Sequence, residues 1–350
     1  MSEMPKKLPE TVEHLTFSRN ALPALITEMF IRWRHLEVLD LNDNNIRDIK
    51  PFAFRGLGHL KEISIQNNPL TELPQFSFAG LENVNQINLS KNRIQVINPY
   101  VFAGSRNIGM IILQENPLIK VRARAFSGLR TVQFLYLPSW VKVIESNAFY
   151  DLEGVGLLRL HSLDLHALRP HTFRGLRNVT QISIQESDLG VLKELAFEGL
   201  RNVGELRILN NKVDEVEALE VCEEANIDGV MVRGNHFLQV TRQSPLRINA
   251  NHRSIVTENY LPCTCQLWWV LESPLAIQNQ MFPRHNYCVS PYAMHGKPIS
   301  KVNLTNLERC PAPQELQLPS EQDASGGRVV MAGHVFVHLL ASMFVVGGRW

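Results

Sequence analysis

Three histidines recur at five-residue intervals, His161, His166 and His171, and four cysteines crowd one end of the chain, Cys263, Cys265, Cys288 and Cys310. Imidazoles and thiols are metal ligands, proton carriers or disulfide partners, and their spacing decides among these. The surrounding pattern sets His161 on the outward face of a strand and His166 and His171 in the return segment, so the three do not converge on a metal. The cysteines lack the paired C-x-x-C spacing of a zinc site. Disulfides are the favoured reading, with a four-cysteine zinc site as its rival; four cysteines allow three connectivities. The fifth, Cys222, has no obvious partner and reads as a small buried apolar residue, with an intermolecular bridge as the alternative. Glu223 and Glu224 read as solvated surface. The chain shows no nucleophile elbow, phosphate loop or metal-ligand helix. We therefore expect a non-enzyme with no cofactor and no metal.

The elements that carry these residues are set by repetition. Phe30, Phe54, Phe78, Phe102, Phe126, Phe149, Phe173 and Phe197 follow one another at 24 residues, with a single step of 23 between Phe126 and Phe149. Around each lies the same set, for example Leu36, Leu39, Leu41, Asn44, Ile46, Ile49, Phe54 and Leu57. In Leu39-Asp40-Leu41 apolar and polar residues alternate, the sign of a strand with one buried and one wet face. One such coil cannot bury its apolar residues alone, whereas a stack of coils shares a continuous core. Glycines such as Gly56 and Gly80 suit the turn after each Phe. Asn20, Asn44, Asn68, Asn92, Asn116, Asn211 and Asn235 form a second ladder, read as core residues that satisfy buried backbone groups. It fails at Trp140, Leu163 and Ser187.

This pattern resembles the leucine-rich repeat family, in its extracellular 24-residue class, over about residues 12–240. The resemblance implies an α/β solenoid, a horseshoe with a parallel concave β-sheet and an irregular or short-helical convex side. It implies about nine to ten coils over 12–240 after an N-terminal remnant at 1–11, then a degraded last coil or connection at 241–262. Cys263-Thr264-Cys265, Leu267, Trp268, Trp269, Cys288 and Cys310-Pro311 are similar to the family's C-terminal flanking module, here 263–311. That similarity implies the bridges Cys263–Cys288 and Cys265–Cys310 and a Trp269 packed over the last coil. Bridges imply an oxidising, extracellular compartment. Family members of this class also carry a leader and a cysteine-bearing N-terminal cap; with no cysteine before Cys222, a truncated chain is expected.

Residues 312–328 read as a polar linker and 329–350 as a hydrophobic tail. Small residues, a spacer and a terminal apolar run match a glycolipid attachment signal, with Asp323, Ala324 or Ser325 as acceptor. The rivals are a short membrane span over 329–346, at the low end of the ~17–25 residues required and burdened by His334 and His338, and a secreted chain. Asn88, Asn178 and Asn303 head glycosylation sequons. The balance of 35 basic and 34 acidic residues offers no basic stripe for nucleic acid.

The strand register lists the outward residues. Most are polar, but Met110, Ile112, Phe134, Tyr136, Leu157, Arg159 and His161 form one apolar and aromatic patch, in the repeats where the spacing shortens and the Asn ladder fails. One reading is a protein-binding surface for a ligand or a second copy; the other is drift, with Trp140 and Leu163 turned inward as filler. The expected function is a cell-surface recognition or adhesion protein on the extracellular face of the plasma membrane, relying on a co-receptor for signalling. A secreted matrix or carrier scaffold and an intracellular scaffold are the alternatives.

Overall fold

Alternation of apolar and polar residues gives each repeat one short strand, and the strands stack in sequence order. In the computed structural model, which describes residues 3–5, 7–241 and 244–310, eleven parallel strands form one concave sheet. The chain is a leucine-rich repeat horseshoe. Coils one to four contribute three-residue strands, His14–Thr16, Val38–Asp40, Glu62–Ser64 and Gln86–Asn88. From coil five the strands lengthen: Arg106–Ile112, Arg130–Tyr136, Glu153–His161, Arg177–Gln185, Arg201–Leu209, Ile227–Arg233 and Arg253–Thr257. The lengthening needs close backbone approach: a Cβ on Gly109 would lie 2.4 Å from the Asn85 carbonyl oxygen, and one on Gly156 2.5 Å from that of Gln133. The convex side consists of turns and short strands; among the described solenoid residues its one helical turn is Glu223–Ala225.

The phenylalanines form a buried spine. Neighbouring rings stack with centroids 5.8 Å apart for Phe30–Phe54 and 5.1 Å for Phe54–Phe78. The short step leaves this undisturbed, since Phe126 and Phe149 sit 5.6 Å apart with planes 6° from parallel. The Asn ladder runs inside the coil. The Asn44 amide donates to the carbonyls of Phe17 and Leu41 at 2.8 and 3.1 Å, and its oxygen accepts the Leu22 N–H at 3.2 Å.

Three expectations are corrected. The degraded last coil or connection expected over 241–262 is, in its described residues 244–262, part of a regular coil, with Met231 opposite Ile255 and the ladder continued by Asn259 and, inside the cap, Asn286. This brings the concave sheet to eleven strands. Cys222 is exposed rather than buried. Trp140 is not inward filler but is 70% exposed. The buried ladder slot of its coil belongs to Val141, whose carbonyl accepts the Asp164 N–H just as Leu163 accepts from Asp188 and Ser187 from Lys212.

At the C-terminal end both implied disulfides are present, Cys263–Cys288 with Cα atoms 5.3 Å apart and Cys265–Cys310 with 4.9 Å. The last coil is sealed by Leu267, Val270, Leu275 and Phe282, all buried. Trp269 is only half-buried, while Trp268 donates its indole N–H to the Leu307 carbonyl at 3.3 Å. The linker, the attachment residues Asp323, Ala324 and Ser325, and the hydrophobic tail lie outside the described residues. Among the described residues no helix is long and apolar enough to cross a membrane.

Candidate functional site: a patch on the concave sheet

Parallel pairing sets the outward residues of adjacent coils side by side. One row runs Gln86, Met110, Phe134, Leu157, Gln181; the next runs Asn88, Ile112, Tyr136, Arg159, Ser183. The predicted patch residues are therefore neighbours across coils five to seven, with amides and hydroxyls on both flanks. Each is half-buried apart from the exposed Arg159. Phe134 and Tyr136 tilt together with centroids 5.9 Å apart, and the Arg159 guanidinium lies 6.0 Å from the Tyr136 ring centroid. His161 stands one row further on, its Nε2 2.9 Å from the Glu186 carboxylate and its Nδ1 2.7 Å from the Ser162 hydroxyl. His166 is exposed, and His171 pairs with Glu198 at 2.5 Å, away from His161's partners. Among the described residues no cluster is composed to hold a metal ion.

The backbone breaks its period beside this patch. From Asn116 to Val141 the ladder advances 25 residues, one more than usual, whereas Val121 pairs with Ile144 after 23. The turn after the coil-six strand thus gains a residue, and the following turn loses two. The extra residue shifts Trp140 into the outward, left-handed position, φ 69°, that Asp43, Asn67, Lys91 and Glu115 fill in the preceding coils. It also opens a recess of about 190 Å³ lined by Gln114, Tyr136, Leu137, Pro138, Ser139, Arg159 and His161. The recess had no signature in the residue types alone, because counting at a constant 24 places Trp140 in the ladder. The Pro138-Ser139-Trp140 interruption was its only signal.

The other singled-out residues lie elsewhere. Asn178 and Asn303 are exposed, while the sequon hydroxyl of Asn88 belongs to the buried Ser90 and is bonded to Asn88 itself at 2.8 Å. Cys222 borders a separate convex cleft of about 450 Å³. Partial burial, with Glu220 and Glu224 nearby, pushes its thiol pKa up.

The stacked coils and their shared core define a repeat protein, and its repeat type is identifiable. Six copies of the BspA-type leucine-rich repeat region match over residues 25–156 and 95–226, more than half of the chain. The chain belongs to this leucine-rich repeat family. No curated protein sequence matches it. Among solved structures it is similar to the Drosophila Toll–Spatzle complex (16% identity, TM-score 0.49, 84% of this chain and 55% of that one). It is also similar to the mouse RP105/MD-1 complex (16% identity, TM-score 0.48, 87% and 52%) and to human 5T4 trophoblast glycoprotein (18% identity, TM-score 0.40, 89% and 91%). The chain thus spans about half the length of the chains it matches in the Toll–Spatzle and RP105/MD-1 complexes.

Proposed function

We propose that this is an extracellular recognition protein that binds a protein partner, another species or a second copy of itself, on the concave face of coils five to seven. One observation carries the reading: the one aromatic pair on the concave rows among the described residues, Phe134 and Tyr136, lies at the centre of a contiguous apolar patch with polar residues on both flanks, in the coil where the backbone breaks period. Exposed contiguous apolar surface with aromatic anchors is how protein interfaces concentrate binding energy. The two bridges of the cap suit an oxidising compartment. The sequence of the tail favours glycolipid attachment at Asp323, Ala324 or Ser325, with a co-receptor to carry a signal and without a nucleic-acid ligand. Phospholipase release from cells supports the anchor, and spontaneous appearance in medium supports the secreted scaffold.

The test is binding of the Fc-fused solenoid to a panel of secreted and cell-surface proteins. Phe134→Ser with Tyr136→Ser should abolish the selected interaction while thermal unfolding stays as in the parent. Undiminished binding by that double variant would remove the concave patch from consideration.

A further inference from the structure

Arg159 makes neither an ion pair nor a hydrogen bond among the described residues; its one contact is the Tyr136 ring. Arg207 and Arg233, further along the same face, form ion pairs with Glu205 at 2.7 Å and Glu258 at 2.8 Å. The unpaired guanidinium borders the recess of about 190 Å³, whose floor is the buried pair Leu137 and Pro138 and whose walls include Tyr136, Ser139 and His161. A guanidinium carries five N–H donors and no acceptor, in a fork that matches a carboxylate. Resting on an aromatic face holds that fork in place.

We propose, building on the concave-face reading, that this recess seats the carboxylate side chain of an Asp or Glu of the partner protein, next to apolar partner residues that cover Met110, Phe134 and Leu157. One cation calls for one negative charge. Glu186, held against the His161 wall, repels any anion but weighs about twice as heavily against a doubly charged phosphate as against a carboxylate. The Ser139 hydroxyl and the Tyr136 edge complete a polar mouth above an apolar floor, which suits a short acidic side chain flanked by hydrophobic ones. The recess exists because coil six gained a residue after its strand, so the irregular turn and the unpaired arginine serve one purpose.

A random-peptide phage library, displayed so that peptide C-termini are not free, is selected on the intact protein. Enriched peptides should share an acidic residue beside an apolar or aromatic one, and should lose binding to the Phe134→Ser, Tyr136→Ser double variant. Arg159→Gln should weaken them by ~10-fold or more, while peptides with the acid changed to its amide should bind parent and Arg159→Gln alike. Peptides that need Phe134 and Tyr136 yet bind Arg159→Gln as tightly as the parent would refute the carboxylate seat and leave the concave surface standing. A selection yielding no peptide dependent on Phe134 and Tyr136 would overturn both.

Discussion

Asn92 shows what one side chain does in this architecture. Its amide donates to the carbonyls of Ile65 and Leu89 at 2.7 and 2.8 Å, and its oxygen accepts the Asn68 N–H at 3.1 Å. Buried backbone groups that lose their partner cost about 1–3 kcal/mol each, and two are at stake, the Ile65 carbonyl and the Asn68 N–H, since the Leu89 carbonyl keeps the Asn116 amide at 2.9 Å. Asn92→Ala should therefore destabilise the solenoid by about 2 kcal/mol or more, read as a lowered denaturant midpoint at unchanged slope. Cys222 makes the opposite case, a residue whose chemistry is muted by its neighbours. Partial burial and then Glu220 and Glu224 raise its thiol pKa above 9.0, so little thiolate is present at neutral pH and the thiolate is the reactive form. Iodoacetamide should label it more slowly than a peptide cysteine, and Glu220→Gln with Glu224→Gln should speed the labelling; an unchanged rate in that variant would count against the electrostatic part of the shift. Its exposure was not legible in the sequence. The Phe spine that a buried neighbour would have joined ends at Phe197, and the chain at Leu219–Val221 pairs instead with Leu246–Ile248.

That substitution of one packing device for another explains what could be read at the level of elements and what could not. Coils that repeat Phe were legible to the residue, because ring stacking fixes the interval. The coil that includes residues 244–262 was not, since it lacks the Phe; the continuing column Asn211, Asn235, Asn259 was the signal that carried through. The rows of the candidate patch followed from strand alternation, whereas the recess arose from a gain and a loss of residues that nearly cancel in the count. The last coil also joins the cap through an aromatic stack, His236 on Tyr260 at 4.4 Å and Tyr260 on His295 at 5.8 Å. Burial first, and His295 second, lower the His236 pKa below its ordinary 6.5. The folded state thus disfavours the protonated imidazole, and as pH falls below 6.5 the unfolded chain takes up the proton first. This contribution is fully present above that pH and declines beneath it. Melting temperature should drop between pH ~7 and pH ~5, and His236→Phe, which keeps a ring against Tyr260, should reduce the drop. An equal drop in the variant would assign the acid sensitivity to other groups.

Across the whole solenoid, each coil touches only its neighbours, so stability is a chain of local interfaces. The Phe spine threads them all. Phe126 is fully buried and stacks on both sides, 6.1 Å from Phe102 and 5.6 Å from Phe149. Phe126→Ala removes both contacts and leaves a cavity, at a cost of about 3–5 kcal/mol. In a globular core that loss would be shared by the whole fold. Here it falls on the interfaces of coil five with its two neighbours, just N-terminal to the interrupted Asn ladder at Val141 and Leu163. The array should then uncouple there. Coils eight to eleven keep their ladder from Ser187 to Asn286 and a cap tied by Cys263–Cys288 and Cys265–Cys310. Coils one to four have only three-residue strands and no disulfide among them. Hydrogen exchange of Phe126→Ala should show amides of the strands from Val38 to Asn88 losing protection while those from Arg177 to Thr257 retain it. Uniform loss along the chain would show instead that the solenoid unfolds as one unit, and that the broken ladder does not divide it.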